Sequence, residues 1–95
     1  MQEVLESRDE RVFCKYVERR TGIPAIKVHR RGWPDRLVPL GGGRFIWIEF
    51  KRRSGGVVSK IQNGVKRKLE RRGERIYVCR SAKEAKEVYE KEGGA

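Results

Sequence analysis

The chain of 95 residues is long enough for one domain with a modest core, and its hydrophobic share of 37% fits a folded protein rather than a disordered one. Its 24 basic and 13 acidic residues give a net charge of +11, which is typical of proteins that bind nucleic acid or an anionic membrane surface. The longest apolar run, residues 45–50, contains a glutamate and is far shorter than the roughly 20 residues of a membrane span, so we expect a nucleic-acid partner and no membrane.

Three Ser-x-x-Glu/Gln patterns, which begin at Ser7, Ser59 and Ser81, predict the starts of three helices with capping boxes. The first helix is expected over residues 8–20 and ends at Thr21-Gly22. Its apolar residues recur at helical spacing and share one face: Val12, Phe13, Tyr16 and Val17.

Two strands are predicted next, over residues 25–29 and 35–40, and Gly41-Gly42-Gly43 is predicted to turn the chain into a third strand over residues 44–51. Alternation along the third strand separates two faces, one with Ile46, Ile48 and Phe50, the other with Phe45, Trp47, Glu49 and Lys51. The acid and the lysine at the end of this strand therefore project side by side.

The remaining elements are a second helix over residues 60–72, a fourth strand over residues 75–79 and a third helix over residues 82–91. The second helix is expected to turn three apolar residues inward, Ile61, Val65 and Leu69, and most of its basic residues outward. The predicted fold is thus a single α/β domain over residues 1–95, in the order α-β-β-β-α-β-α, with a mixed central sheet flanked by helices.

The basic excess lies in the middle of the chain. Residues 1–18 carry three basic and five acidic groups, residues 19–80 carry eighteen and four, and residues 81–95 carry three and four. Two of the four central acids, Asp35 and Glu49, belong to one compact pattern, Pro-Asp followed by Glu-x-Lys. A basic surface that holds two acids together suggests a site that binds a phosphate backbone and a divalent metal at once.

Each acid has an ordinary interpretation beside the functional one. Asp35 follows Pro34 and can be a simple turn residue. Glu49 lies in the most apolar strand, where an unpaired carboxylate is costly, so it is either paired with Lys51 or a nearby arginine, or it is a metal ligand. Mg²⁺ takes oxygen ligands and keeps several waters, so one or two carboxylates suffice, and the Phe50 carbonyl between the motif side chains can supply another oxygen.

Three further residues complete the candidate site. Lys51 beside a metal ion can hold or deprotonate the attacking water, or neutralise phosphate charge in the transition state, and its alternative is a solvated lysine at a strand end. Glu10 and Gln62 each occupy the last position of a capping box, so each is either a cap partner or a site residue.

Basic residues bracket the motif and are candidate phosphate contacts: Arg30, Arg31, Arg36, Arg52, Arg53 and Lys60. The outward basic run of the second helix is either a solvated face or a further DNA contact. Cys14 and Cys79 lack metal spacing, and we expect both to be reduced core residues of a cytoplasmic protein, because disulfides are rare in that compartment.

The order of these features resembles the VRR-NUC family, a branch of the PD-(D/E)xK nuclease superfamily. The resemblance covers about residues 6–90. It rests on Glu10, Gly32-x-Pro34-Asp35-Arg36, Ile48-Glu49-Phe50-Lys51 and Gly56-x-x-Ser59-x-x-Gln62. Leucine is more usual in the family where Phe50 stands, on the side that faces away from the site.

The resemblance implies a PD-(D/E)xK nuclease core that cleaves DNA phosphodiesters with Mg²⁺ or Mn²⁺. It implies that Asp35, Glu49 and the Phe50 carbonyl bind the metal, and that Glu10 assists directly or through water. Lys51 is then the catalytic lysine and Gln62 a supporting residue. Small stand-alone members are typical of bacteriophages and resemble Holliday-junction resolvases, which implies a homodimer that acts on branched or four-way DNA in the host cytoplasm.

The sequence therefore predicts a metal-dependent, structure-selective DNA endonuclease. Three alternatives stay open. One is flap cleavage or duplex nicking on the same fold, and another is a basic DNA-binding module without catalysis. The third, an RNA- or ribosome-binding basic protein, explains the charge but leaves the pairing of Glu49 with Lys51 without a purpose.

Overall fold

A computed structural model describes residues 7–51 and 60–94 of the chain. Its helices and strands follow the predicted order α-β-β-β-α-β-α. The elements are α1 (Arg8–Thr21), β1 (Ile26–Lys27), β2 (Arg36–Gly41), β3 (Arg44–Phe50), α2 (Lys60–Arg71), β4 (Ile76–Cys79) and α3 (Ala82–Lys91). The predicted α/β class is confirmed, and every element except the first strand begins and ends within one residue of its predicted bounds.

The four strands form one mixed sheet in the order β1-β2-β3-β4. The first three run antiparallel, and β4 lies parallel to β3, which requires a crossover through α2. The hairpin between β2 and β3 turns at Gly42 and Gly43, whose φ angles of 63° and 78° fit the positive values that a two-residue hairpin loop requires. The predicted glycine turn is therefore confirmed.

The core lies between one face of the sheet and the pair α1 and α3. Apolar residues of the two helices meet the inward residues of β2 and β3, and these form one buried cluster: Phe13, Val17, Val38, Leu40, Ile46, Ile48, Ala85 and Tyr89. Each large side chain buried here contributes about 1.5–3 kcal/mol through removal of apolar surface from water. Ile46 and Ile48 are fully buried on this face, so the predicted alternation of β3 is confirmed and its opposite face is left for Glu49.

Capping side chains fix the starts of two helices. The Ser7 hydroxyl accepts a hydrogen bond from the Glu10 backbone N–H at 3.0 Å, and the Ser81 hydroxyl accepts one from Glu84 at 3.1 Å. These caps satisfy backbone donors that a helix start leaves without partners, as the Ser-x-x-Glu pattern predicts. The third predicted cap, Ser59, lies outside the described residues.

Three sequence expectations about packing are wrong. The first strand has two residues instead of five, and at its start the Ala25 carbonyl accepts from the Arg36 guanidinium at 3.2 Å. Val12 of α1 is 40% exposed, since only part of the predicted apolar face reaches the core. In α2, Ile61 is 48% exposed and no described residue is fully buried, because no other described helix packs beside α2 on the second face of the sheet, where it lies mainly over β4.

Both cysteines are free, as expected, and burial raises the pKa of each thiol to about 12. Such thiols are poor nucleophiles at neutral pH. None of the helices in the described part of the chain is long and apolar enough to cross a membrane.

Candidate active site

Two acidic residues meet where β2 begins and β3 ends. The pairing of Arg36 with Ile48 places Asp35, one position earlier, across from Glu49 in the antiparallel register. The Asp35 carboxylate accepts a hydrogen bond from the Phe50 backbone N–H at 2.7 Å, which fixes the turn acid against the end of β3. Neighbours across two strands lie close enough for their charges to interact.

Glu49, Lys51 and Gln62 form a closed set of polar contacts on the same sheet face. The Lys51 ammonium lies 3.0 Å from a Glu49 carboxylate oxygen and donates to the Gln62 side-chain oxygen at 2.8 Å. The Gln62 amide in turn donates to Glu49 at 2.6 Å. Gln62 belongs to the first turn of α2, so this helix joins the site to the second layer of the fold. The amide holds both charged side chains in place.

The surroundings of Glu49 disfavour its negative charge. Glu49 is only 6% exposed to solvent. Burial raises the pKa of Glu49, the negative charge of Asp35 raises it further, and the bonds from Lys51 and Gln62 act in the opposite direction. Two carboxylates whose charges repel each other are costly when both are ionised, and a divalent cation bound by both would remove much of that cost.

The donor set fits Mg²⁺ or Mn²⁺ with few protein ligands. The N–H and C=O of one strand residue point to the same side, so the Phe50 carbonyl faces the side of β3 on which Asp35 lies. Asp35, Glu49 and this carbonyl offer three oxygen ligands, and Mg²⁺ fills its remaining positions with water or substrate phosphate. The described residues contain no cluster of three or more Asp, Glu, His or Cys side chains in metal-binding arrangement, so a richer site such as a zinc centre is not formed among them.

Glu10 lies close behind the site but is already paired. It is 4% exposed, and one carboxylate oxygen accepts from the Arg36 guanidinium at 2.7 Å and from the Lys27 ammonium at 3.1 Å. Burial raises the pKa of Glu10, the bond from Lys27 lowers it, and the charge of Asp35 raises it again. Glu10 is therefore within electrostatic reach of the motif acids, while its own charge is balanced by two cations.

Arg36 is the clear departure from the predicted DNA surface. It is 7% exposed, and besides Glu10 it donates to the Ala25 carbonyl. A guanidinium in this position cannot reach a phosphate outside the protein without leaving its buried partners. Arg36 is thus a structural residue at the start of β2, and its expected role as a phosphate contact does not agree with the structure.

The other predicted phosphate contacts are exposed wherever the structure describes them. Arg30 and Arg31 lie in the loop before Asp35, and Lys60 begins α2. The Arg30 guanidinium lies 5.7 Å from the centre of the Trp33 ring. Arg52 and Arg53 lie outside the described residues.

One residue near the site was missed by sequence reasoning. A cavity with room for about one water molecule lies between α2 and the sheet, lined by Gly32, Pro34, Glu49, Gln62, Lys66, Ile76 and Val78. Lys66 is the lysine of α2 that lines this cavity. The signal in the sequence was its position four residues after Gln62, which places both on one side of the helix, but the many basic residues of α2 hid it.

Comparisons of the chain with known protein families, with characterised proteins and with solved structures give no significant match. The functional interpretation therefore depends on the geometry and chemistry of the site.

Proposed function

We propose that the chain is a metal-dependent endonuclease that hydrolyses DNA phosphodiester bonds. One observation carries the proposal. Asp35 immediately precedes β2, Glu49 and Lys51 lie at the end of β3 and just beyond it, and Gln62 belongs to α2. Hydrogen bonds gather these residues at one end of the sheet, beside the exposed arginines of the loop before Asp35. A charged cluster of this kind serves little purpose in a fold that could have buried apolar residues there instead.

Asp35, Glu49 and the Phe50 carbonyl would hold the metal ion. A bound Mg²⁺ or Mn²⁺ supplies a Lewis acid for the phosphate and helps to activate water. Lys51 stabilises negative charge on the phosphate or orients the attacking water, because its ammonium projects beside Glu49. Gln62 positions Lys51 and Glu49 relative to one another.

Glu10 has a supporting role in this proposal. Its bonds to Arg36 and Lys27 fix the chain where β2 begins, one residue after Asp35. Both bonds engage the same oxygen of Glu10, and its expected assistance to the metal, directly or through water, stays a prediction.

The resemblance to the VRR-NUC family supports a finer version of the proposal. In that version the chain forms a homodimer, and two active sites cut a four-way DNA junction symmetrically in the host cytoplasm. Flap cleavage and duplex nicking use the same chemistry on other DNA structures, and they remain the alternatives for the substrate.

Cleavage of labelled DNA tests the proposal. A four-way junction, a flap and a linear duplex are each incubated with Mg²⁺, Mn²⁺ or EDTA. The proteins compared are the parent, Asp35→Ala and a matched control, Glu87→Ala, which removes an exposed acid of α3 on the other face of the sheet. We expect cutting that needs the metal and Asp35 and that Glu87→Ala retains.

Each result has a clear meaning. Paired cuts in the junction support the resolvase-like version. Cuts confined to the flap or the duplex support metal-dependent hydrolysis but show that the preferred DNA structure is not a four-way junction. Equal cutting by the parent and by Asp35→Ala would overturn the mechanism. Salt-sensitive binding without any cutting would favour the non-catalytic DNA-binding module.

A further inference from the structure

Lys66 differs from the other basic residues of α2. It lies one helical turn after Gln62, so the two side chains share one side of the helix. The other lysines and arginines of this helix are exposed, whereas Lys66 is half-buried and lines the small cavity together with Glu49 and Gln62. Its side chain therefore lies at the boundary between the cavity beside Glu49 and the solvated side of α2.

The present partner of Lys66 holds it only weakly. Its ammonium lies 3.0 Å from a carboxylate oxygen of Glu70, one turn further along α2. The Glu70 side chain is 43% exposed and that of Lys66 is 33% exposed, so water has access to the pair. Helical pairs of this spacing change an equilibrium constant by only about twofold, and a phosphate group that approaches Lys66 can displace Glu70.

The charges of the site give such a lysine a use. Asp35 and Glu49 repel the phosphate that must approach them, and Lys51 is bound to Glu49 and Gln62. Lys66 lines the same cavity as Glu49, and a change of its side-chain rotamer away from Glu70 would bring a second positive charge from the α2 layer to a neighbouring phosphate of the same strand. Lysine serves this purpose well because its charge sits on a long, flexible stem.

We propose that Lys66 is a second phosphate-binding lysine of this site, and that it exchanges Glu70 for a DNA phosphate when the substrate binds. The proposal rests on the proposed nuclease function, because the phosphate it assigns to Lys66 lies next to the bond to be cut. Its test therefore has a readout that does not require cleavage.

The first measurement is DNA binding without metal. The affinity for a fluorescent four-way junction is measured by anisotropy in EDTA over a series of salt concentrations. Lys66→Met is compared with Lys83→Met, which removes the same charge from an exposed position of α3. Loss of one phosphate contact lowers the slope of log affinity against log salt by about 0.9, and we expect this for Lys66→Met alone. Lys66→Arg should keep the parent slope.

The second measurement concerns Glu70. Glu70→Gln frees Lys66, and we expect it to tighten DNA binding more than Glu87→Gln, which removes an equivalent exposed charge on the opposite layer. This comparison also decides the proposal if Lys66→Met fails to fold, as judged by circular dichroism. Equal effects of the two glutamate variants would then overturn it.

Cleavage over a range of DNA concentrations separates the two proposals. If the parent cuts in an Asp35-dependent manner, Lys66→Met should raise the DNA concentration needed for half-maximal cleavage severalfold and leave turnover at saturating DNA close to that of the parent, since a phosphate contact made on substrate binding affects binding and not the chemical step. A parent-like half-maximal concentration together with a parent-like salt slope would overturn the role of Lys66 and leave the nuclease standing. Absence of cutting with a reduced slope for Lys66→Met would overturn the nuclease and retain phosphate binding by Lys66.

Discussion

Replacement of Arg36 by methionine should destabilise the protein strongly. Methionine keeps most of the apolar volume but removes the guanidinium, and of the two cations that pair with the buried Glu10 carboxylate among the described residues, Lys27 remains. Removal of one partner from a buried ion pair costs about 3–5 kcal/mol. Because Lys27 still pairs with Glu10, we place Arg36→Met near the lower end, at about 3 kcal/mol. For a chain of this length that corresponds to a fall in melting temperature of about 12 °C or more.

A double-mutant cycle shows whether the pair itself is responsible. Glu10→Gln alone leaves the Arg36 guanidinium buried without its anion, and the double variant removes both charges. We expect the double variant to be less destabilised than the sum of the single variants, with a coupling of about 1.5–3 kcal/mol. Urea unfolding followed by tryptophan fluorescence measures the free energies. A value for Arg36→Met within about 0.5 kcal/mol of the parent, or strict additivity, would refute the reasoning.

Arg31 provides a matched control for the same argument. It is exposed in the loop before Asp35, so Arg31→Met should change the free energy of unfolding by less than about 0.5 kcal/mol. In DNA binding the order should reverse. Arg31→Met should weaken binding, whereas the folded fraction of Arg36→Met should bind with parental salt dependence. An equal decrease of the salt dependence in both variants would show that Arg36 contacts a DNA phosphate, contrary to this argument.

Two glycines and one acid give the remaining predictions. Gly64→Ala should stabilise the protein by about 0.5–1 kcal/mol in thermal unfolding, since an added Cβ meets nothing within 4 Å in this helical position, and a lower melting temperature would contradict this. Gly32→Ala should destabilise by more than about 1 kcal/mol in the same assay, because Gly32 has a φ of +84° and its Cβ would lie 2.3 Å from Ile61. The pKa of Glu49 is raised, so the folded protein binds the carboxyl proton of Glu49 more tightly than the unfolded chain does. The contribution of Glu49 to the free energy of unfolding therefore falls as the pH rises from the ordinary pKa of 4.5 through the raised pKa. Mg²⁺ competes with the Glu49 proton, so Mg²⁺ should raise the melting temperature at neutral pH but not below pH 4.5, where Glu49 is protonated. An undiminished effect of Mg²⁺ at that low pH would exclude Glu49 as a ligand.

The fold was predictable because local signals agree with one another. Serine caps, the glycine hairpin and the alternation of β3 all indicate the same order of elements. Agreement among local signals of this kind makes the order of elements predictable from the sequence. Exposure was harder to predict. Val12 and Ile61 match helical periodicity, but periodicity shows only which side of a helix is apolar and not how much of that side a neighbouring layer covers.

The site was predictable in part for the same reason. Glu49 and Lys51 share a face by alternation alone, and the structure brings Gln62 to both of them across the fold. Arg36 and Lys66 show where the pattern stops being informative. Arg36 is buried beside Glu10, which is distant in sequence, and Lys66 lines the cavity because α2 packs on the sheet. Neither position can be inferred from the amino-acid composition.

The packing of α2 connects the stability of the fold to the assembly of the site. This helix buries none of its described residues completely, yet it carries Gln62 and Lys66. Elements with little buried apolar surface open more readily than a core helix such as α1, where Phe13 and Val17 are fully buried. The polar contacts of Gln62 therefore contribute a larger share of what holds α2 on the sheet. DNA that adds contacts to Lys66 would tighten α2 against β3, and metal binding to Glu49 would act on the same contacts from the other side, so the two ligands should bind cooperatively.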